Sequence, residues 1–409
     1  MSDEREEHAD SGELNARGSA LQVLSIFARL GFTSFGGPVA HLGYFREEFV
    51  ERRKWIDEQT YADIVALCQF LPGPASSQVG IAIGLTRAGI RGALSAWLGF
   101  TLPSAIVLIL FAYGVSQWGD IANSGWLDGL KIVAVAVVAQ ALWGMANNLC
   151  PDRERATIAI GAAIVVLAWP VVGMQVGVIV LGGIIGWLFL PRGELGDIIP
   201  LNVPISRGLA IACFALFFLL LGGLPLASAF AGGYTLDLVD SFYRTGSLVF
   251  GGGHVVLPLI QSEVVPPGWV SAEDFVAGYG AAQAVPGPLF TFSSYLGAVS
   301  SQSPAGWIGG GIALVSIFIP SFLLVFGALP FWDLLRSRLG FQSALRGINA
   351  GVVGLLLAAL YDPVFTSAIT RPLDFALALV AFAMLVFWKL PPWLVVVLTA
   401  AGGAALAQF

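Results

Sequence analysis

The sequence predicts an all-α polytopic membrane protein that is built from two repeats of opposite orientation. Of its 409 residues, 57% are hydrophobic and only 11% are charged, which leaves too little polar surface for a water-soluble protein of this length. Uncharged apolar stretches of about 18 residues or more, enough to cross roughly 30 Å of hydrocarbon as a helix, recur from residue 92 onwards. A set of short motifs also occurs twice in the same order.

The apolar stretches divide into about thirteen segments. They cover residues 19–40, 61–88, 92–118, 126–148, 156–170, 171–191, 207–230, 236–262, 273–300, 305–332, 341–361, 372–388 and 391–408. Basic loops flank both ends of the 61–88 segment, which a single crossing cannot satisfy. We therefore expect a re-entrant or broken helix there, turning at Pro72-Gly73-Pro74, and another at 273–300.

The duplication is detailed, because the stretch from residue 27 returns about 215 residues later. The matched pairs are FARLGFTSFGGP (27–38) with FYRTGSLVFGGG (242–253), Glu48 with Glu263, Trp55 with Trp269, QFLPGP (69–74) with QAVPGP (283–288), Pro103-Ser104 with Pro320-Ser321, and Lys131 with Arg346. The predicted organisation is a disordered cytosolic tail (1–18), a first repeat (19–191), a linker with one unpaired transmembrane helix (192–234) and a second repeat (235–409).

Loop charges predict that the two repeats have opposite orientations. Residues 41–55 form a basic loop with Arg46, Arg52, Arg53 and Lys54, whereas the equivalent residues 260–274 contain no Lys or Arg. Because basic residues close to membrane segments stay on the cytoplasmic side, the first loop is expected inside and the second outside. The unpaired helix at 207–230 supplies the required inversion, and Arg371 is the one basic residue that this topology places on the wrong side.

Two matched arginines are candidate anion ligands. Arg29 and Arg244 lie within or near the start of apolar segments, where a cation is costly and therefore a functional candidate. Two other interpretations remain open: both side chains extend to a membrane interface, or Arg244 pairs with Asp240 one helical turn earlier.

Matched glycines and prolines predict breaks in the helices. Gly36-Gly37 and Gly251-Gly252 would let the backbone approach an anion closely, although glycine also serves close helix packing. Pro72-Gly73-Pro74 and Pro286-Gly287-Pro288 remove backbone donors and interrupt an apolar run, so they predict a break, with a simple kink as the alternative.

Three further matched pairs carry polar groups. Gln69 and Gln283 would donate to an oxyanion or satisfy carbonyls freed by the prolines. Lys131 and Arg346 are secondary candidates, for which anchoring at the interface is the competing role. Glu48 and Glu263 would serve proton coupling or act as salt-bridge partners. His254, next to the second glycine run, could titrate near neutral pH, but a lone histidine is more often a hydrogen-bonded packing residue. His41, in the basic loop, carries no functional signal.

Several classes of function are disfavoured. Cys68, Cys150 and Cys213 are scattered without metal-binding spacing, and we expect neither a metal nor a cofactor. The sequence lacks a GxxxxGK[ST] phosphate cradle, which argues against an ATP-driven pump, and it lacks HExxH and GxSxG motifs, which argues against an intramembrane enzyme. The expected surroundings are membrane lipid and no nucleic acid, and pairing with a second copy as a homodimer is left open.

FTSFGGP, ALCQFLPGPASSQVG, FGGGHVVLPLI and GYGAAQAVPGPLFTF together resemble the long, two-domain form of the chromate ion transporter family. The resemblance covers nearly the whole chain from about residue 20. It implies a multi-pass protein of the bacterial inner membrane that exports chromate and confers chromate resistance, with sulfate as a structural analogue. An importer or exchanger of sulfate or another oxyanion, and an anion channel, are the alternatives.

Overall fold

The computed structural model describes residues 18–34, 37–117, 125–169, 172–191, 205–249, 256–332 and 339–407. Within these residues the chain is helical and contains no strand, which confirms the prediction of an all-α membrane protein. In the described part of the chain, five helical stretches are long and apolar enough to cross a membrane: Ala75–Val115, Asp128–Leu149, Arg207–Ala231, Gly306–Phe331 and Gln342–Asp362.

The helices fall into two equivalent series separated by one unmatched helix. The first series is α1 (Ala20–Thr33), α2 (Gly37–Arg46), α3 (Glu58–Phe70), α4 (Ala75–Gln117), α5 (Gly125–Leu149), α6 (Arg153–Ala168) and α7 (Val172–Phe189). The unmatched helix is α8 (Arg207–Ala231). The second series is α9 (Tyr234–Leu248), α10 (Val256–Val264), α11 (Ala272–Ala284), α12 (Phe292–Val299), α13 (Gly306–Ala328), α14 (Leu339–Ala359), α15 (Pro372–Val386) and α16 (Pro392–Leu406).

The predicted helix breaks are observed in both repeats. Helix α3 ends before Pro72-Gly73-Pro74 and α4 begins after it, while α11 and α12 are separated by Pro286-Gly287-Pro288. Gly73 and Gly287 adopt φ of 119° and 103°, which other residues rarely accept. Gly37, with φ of 77°, begins α2 after the first glycine motif.

Both proline-containing segments return to the level at which they begin. The guanidinium carbon of Arg87, near the end of the first segment, lies 4.9 Å from the ring centroid of Trp55, which precedes α3. In the second repeat, the Ser301 N–H donates to the Trp269 carbonyl over 2.9 Å. Because helices of 13 residues extend only about 20 Å, these segments fit re-entrant hairpins better than complete crossings.

The long helix α4 contains a sharp reversal of chain direction, which separates the re-entrant hairpin from the next membrane-spanning helix. Ala88 and Gly89 have non-helical dihedral angles, and Gly89 adopts φ of 63°. The backbones on the two sides of this reversal touch at Gly84 and Gly92, whose missing side chains allow the contact. The residues before the reversal therefore fold back against those after it.

The expectation of a basic loop at 41–55 is wrong for most of its length. Residues up to Arg46 continue α2, and Glu47–Arg52 form a π-helical turn. Phe45 and Phe49 are fully buried against Phe27, with ring centroids 5.5 and 5.0 Å away. The stretch is an amphipathic helix whose apolar face lies in the core, and its many charged residues led to the prediction of a loop.

One helix of each repeat packs against the last two helices of the other repeat. Helix α5 of the first repeat packs against α15 and α16 of the second, and α14 of the second repeat packs against α6 and α7 of the first. Because α5 and α14 occupy matching positions in the two series, the packing of each repeat against the other is reciprocal. The halves therefore form one interlocked unit.

Cysteine labelling tests the opposed orientation and the re-entrant hairpin together. In a variant whose native cysteines are replaced by alanine, Glu51→Cys and Arg91→Cys are expected to label from the cytoplasmic side. Pro266→Cys, the counterpart of Glu51→Cys, is expected to label from the other side. All three positions are exposed. Labelling of Glu51→Cys and Pro266→Cys from one side would contradict the inversion, and labelling of Arg91→Cys from the opposite side to Glu51→Cys would contradict the hairpin.

Candidate functional site

The breaks of one repeat are held by the backbone of the other. The Gly73 N–H donates to the Val249 carbonyl over 2.6 Å, and the Gly287 N–H donates to the Ser34 carbonyl over 2.9 Å. Ser34 and Val249 are counterparts that end α1 and α9, just before the glycine motifs. Broken helices from both repeats thus meet at one place, which we call the crossing, defined by Ser34, Val249 and the two Pro-Gly-Pro motifs.

The matched Pro-Ser motifs of α4 and α13 also contribute to the crossing. A Cβ atom on Gly73 would lie 2.9 Å from the Ser321 hydroxyl, and one on Gly287 would lie 2.9 Å from the Ser104 hydroxyl. Each serine therefore lies beside the glycine of the opposite repeat. Ser104 donates to the Thr101 carbonyl over 3.1 Å.

The described residues at and around the crossing leave several buried polar atoms without a hydrogen-bond partner. These atoms are the hydroxyls of Ser34, Ser77, Thr101 and Ser321, the amide nitrogen of Gln283 and one acceptor, the amide oxygen of Gln78. Leaving such groups unpaired in a protein interior costs roughly 1–3 kcal/mol each, so clustered cases indicate a place for a ligand or water. The beginnings of α2 and α4 add N–H groups that have no acceptor within their own helix. The arrangement favours an anion.

His41 is a residue of this region that sequence reasoning missed. Its side chain is buried, with Nε2 3.2 Å from the Ser34 carbonyl and Nδ1 3.4 Å from the Ser76 hydroxyl. Its ring also meets the edge of Phe100 at 5.1 Å. The available signal was helical spacing, because His41 precedes the buried Phe45 by four residues and therefore shares its face.

The predicted glutamines and glycines lie in different surroundings. Gln69 is exposed, whereas the Gln283 amide nitrogen is buried and unpaired. The carbonyl of Pro72 accepts a hydrogen bond of 2.7 Å from Gln78, so Gln78 satisfies this group freed by the break. Several predicted residues lie outside the described part of the chain: Gly36, Gly251, Gly252 and His254.

Arg29 and Glu48, predicted for separate roles, form one ion pair of 2.6 Å. Arg53 and Arg52 also reach the Glu48 carboxylate, at 2.5 and 3.4 Å, and we call these four residues the basic cluster. Burial opposes ionisation of Glu48, but hydrogen bonds from Arg53 and Arg29 outweigh it and lower the pKa of the carboxyl group. The cluster has a surplus of positive charge, and the Arg29 side chain is 45% exposed.

Arg244 and Glu263 form the equivalent ion pair in the second repeat, at 2.8 Å. The same nitrogen of Arg244 lies 2.8 Å from Asp240. Arg244 therefore pairs with Asp240 one helical turn earlier, which was one of the alternatives left open by the sequence. We call Asp240, Arg244 and Glu263 the acidic triad. Arg29 precedes Ser34, and Arg244 precedes Val249, by five positions, or about 7–8 Å along the helix.

The secondary candidates make other contacts. Lys131 pairs with Asp128 at 3.0 Å, one turn away on α5. Arg346 donates to the Pro191 carbonyl over 3.2 Å, at the end of α7. These contacts fit the anchoring role that the sequence left open for both residues.

Comparison with known proteins identifies the family. The family model for chromate transporters matches residues 21–187 and 236–405. The chain belongs to the chromate transporter family. The transporter has the long, two-domain form, and it is a multi-pass bacterial membrane protein.

Relatives match it over most of their length. A chromate transport protein of Pseudomonas aeruginosa is 26% identical over 405 residues, covering 95% of this chain and 92% of the relative. A chromate transport protein of Cupriavidus metallidurans is 26% identical, with 90% and 88% covered. An uncharacterised transporter of Methanocaldococcus jannaschii is 27% identical, with 85% of each chain covered. No solved structure matches.

Alanine at the two crossing glycines tests the importance of this geometry. Gly73→Ala and Gly287→Ala are each expected to abolish most chromate transport. A side chain at these φ values is strained by about 1–3 kcal/mol, and the new methyl group would also press on a serine hydroxyl of the opposite repeat. Uptake into vesicles at equal protein content measures the effect. Gly311→Ala on α13, where a Cβ atom meets nothing within 4 Å, is the matched control and should transport normally. Wild-type transport by both crossing variants would contradict the assignment.

Proposed function

We propose that this transporter exports chromate from the cytoplasm and that the anion binds at the crossing. The observation that carries the proposal is the exchange of backbone hydrogen bonds between the two repeats beside buried, unpaired hydroxyl groups. Broken helices at equivalent positions bring free backbone donors to the membrane midplane, where transporters of this architecture bind substrate.

The donors at the crossing suit a tetrahedral oxyanion. Hydroxyls, an amide nitrogen and N–H groups at helix starts donate to oxygen without adding fixed negative charge. The carboxylates of Glu48, Asp240 and Glu263 are bound to arginine. Arg29 and Arg244 supply positive charge one to two turns from the crossing, and we assign them the role of drawing the anion towards it.

Chromate as the substrate is supported by the names of the relatives, since the proteins of Pseudomonas aeruginosa and Cupriavidus metallidurans are both called chromate transport proteins. Export is supported by charge. The basic cluster belongs to the segment that its loop charges assign to the cytoplasmic side, where its surplus positive charge would gather a dianion. Removal of chromate from the cytoplasm would confer chromate resistance.

Sulfate is the second candidate substrate, and its movement would be uptake or exchange. Chromate and sulfate are dianions of the same shape, so a site of hydroxyl and N–H donors separates them only by size and hydration. A channel is less well supported, because five of the buried donors that lack a partner among the described residues are grouped at the crossing, as a discrete binding site requires.

Removal of the matched serine hydroxyls is expected to weaken anion binding. Ser321→Ala should raise the KM for chromate roughly 10- to 100-fold, because a hydrogen bond to a charged group contributes about 1.5–3 kcal/mol. Ser104→Ala should also raise the KM, but less, because the Ser104 hydroxyl already donates its proton to the Thr101 carbonyl. Ser321 should show the larger effect, since its hydroxyl makes no hydrogen bond within the described protein. Ser262→Ala, which removes a hydroxyl bonded to the Leu259 carbonyl, is the control. An unchanged KM in both variants would place the anion elsewhere.

Uptake of labelled chromate by everted membrane vesicles tests the function itself. Vesicles that contain the transporter should accumulate chromate when a proton gradient is imposed, and excess sulfate should compete. Vesicles with the Gly73→Ala variant, which is expected to lose most chromate transport, measure the uptake that does not depend on the transporter. Movement of sulfate without movement of chromate would keep the architecture and replace the substrate, and movement of neither would refute the proposed function.

A further inference from the structure

We propose that the acidic triad binds and releases one proton in each transport cycle, while the basic cluster stays charged throughout. The inference rests on the proposed function, because it names the coupling ion of that transport. It assigns different roles to the acidic triad and the basic cluster, which occupy equivalent positions in the two repeats.

The triad holds two carboxylates on a single guanidinium group. One nitrogen of Arg244 lies 2.8 Å from Asp240 and 2.8 Å from Glu263, whose side chains are only 8% and 9% exposed. One oxygen of Asp240 is buried and accepts no hydrogen bond. Two negative charges against one positive charge are unfavourable where water is scarce, and a single bound proton makes the triad neutral.

Neighbouring helices add little positive charge. Helix α13, which packs against α9, has no charged residue, and the only one on α8 is Arg207. Arg207 is about 30 Å along that helix from Ser228, which donates to Asp237 on α9. Asp237 adds a further negative charge three residues before Asp240.

The elements around α10 complete the surroundings. Helix α14 contributes Arg346, which donates to the Pro191 carbonyl, and the described part of α7 has no charged residue. His254, between α9 and α10, lies outside the described residues. Arg244 is thus the cation that the structure places on the two carboxylates.

The matching site of the first repeat has the opposite surplus. Glu48 receives three arginines, Arg29, Arg52 and Arg53, so a proton would add to a charge that is already positive. The counterpart of Asp240 is Ser25, and the counterparts of Arg52 and Arg53 are Pro267 and Gly268. The duplicated ion pair is therefore retained while the charges around it are reversed.

The position of the triad fits a proton that enters from outside. Its segment lacks the basic residues that mark the cytoplasmic side, and the Arg244 side chain is 29% exposed, so the triad lies near the protein surface and is not sealed in its core. A proton taken from external water neutralises the triad. It leaves to the cytoplasm when the site faces inward, as chromate moves in the opposite direction.

Proteoliposomes that enclose a pH-sensitive dye separate anion movement from proton movement. Two activities are measured: exchange of labelled chromate at equal concentrations and pH on both sides, and proton flux driven by a chromate gradient. Asp240→Asn and Glu263→Gln are compared with Glu273→Gln, which changes an exposed carboxylate in the first turn of α11.

The wild type and Glu273→Gln should show both activities. Asp240→Asn should retain chromate exchange and lose chromate-driven proton flux, and Glu263→Gln should also lose the proton flux. Wild-type proton flux in either triad variant would overturn the proposal, as would chromate exchange by the wild type without proton flux. Absence of chromate exchange in the wild type would instead refute the proposed function on which the proposal rests.

Discussion

The hydrogen bonds from Gly73 to Val249 and from Gly287 to Ser34 are the interaction on which the rest of the structure depends. A helix that breaks inside a membrane exposes backbone groups that lipid cannot satisfy. Here each break supplies a partner for a break in the other repeat. The arrangement requires both repeats, brings Ser104 and Ser321 to the opposite glycines, and gathers unpaired donors at one place. The donors that we propose for anion binding are therefore placed by the same hydrogen bonds that hold the two repeats together.

A symmetric framework carries an asymmetric charge distribution. The pairs Arg29–Glu48 and Arg244–Glu263 have nearly equal lengths and equivalent positions, which is what duplication preserves. Around them, Arg52 and Arg53 give the basic cluster a positive surplus, and Asp240 gives the acidic triad a negative one. Because the repeats are expected to face opposite sides of the membrane, the difference supports the proposed direction, in which the basic side attracts the dianion and the acidic side accepts the proton.

The sequence was sufficient to predict the helical class and the breaks at Gly73 and Gly287, because apolar length and proline chemistry are local properties. It identified the charged residues of both ion pairs but not their pairing, since the partners lie 19 residues apart across a break whose geometry no local pattern specifies. His41 was missed because the charges that follow it masked the helical spacing it shares with Phe45. The contact between Ser321 and Gly73 joins two repeats, and such long-range contacts have no local signal.

The position of the bound anion tests the central claim most directly. Chromium scatters X-rays anomalously, so an anomalous difference map from crystals of the transporter grown with chromate would locate the metal of the substrate. We predict a peak within hydrogen-bonding reach of the Ser321 hydroxyl and the first turn of α4, between the two Pro-Gly-Pro motifs. A peak at the guanidinium groups of Arg29 and Arg52, with none at the crossing, would contradict the account.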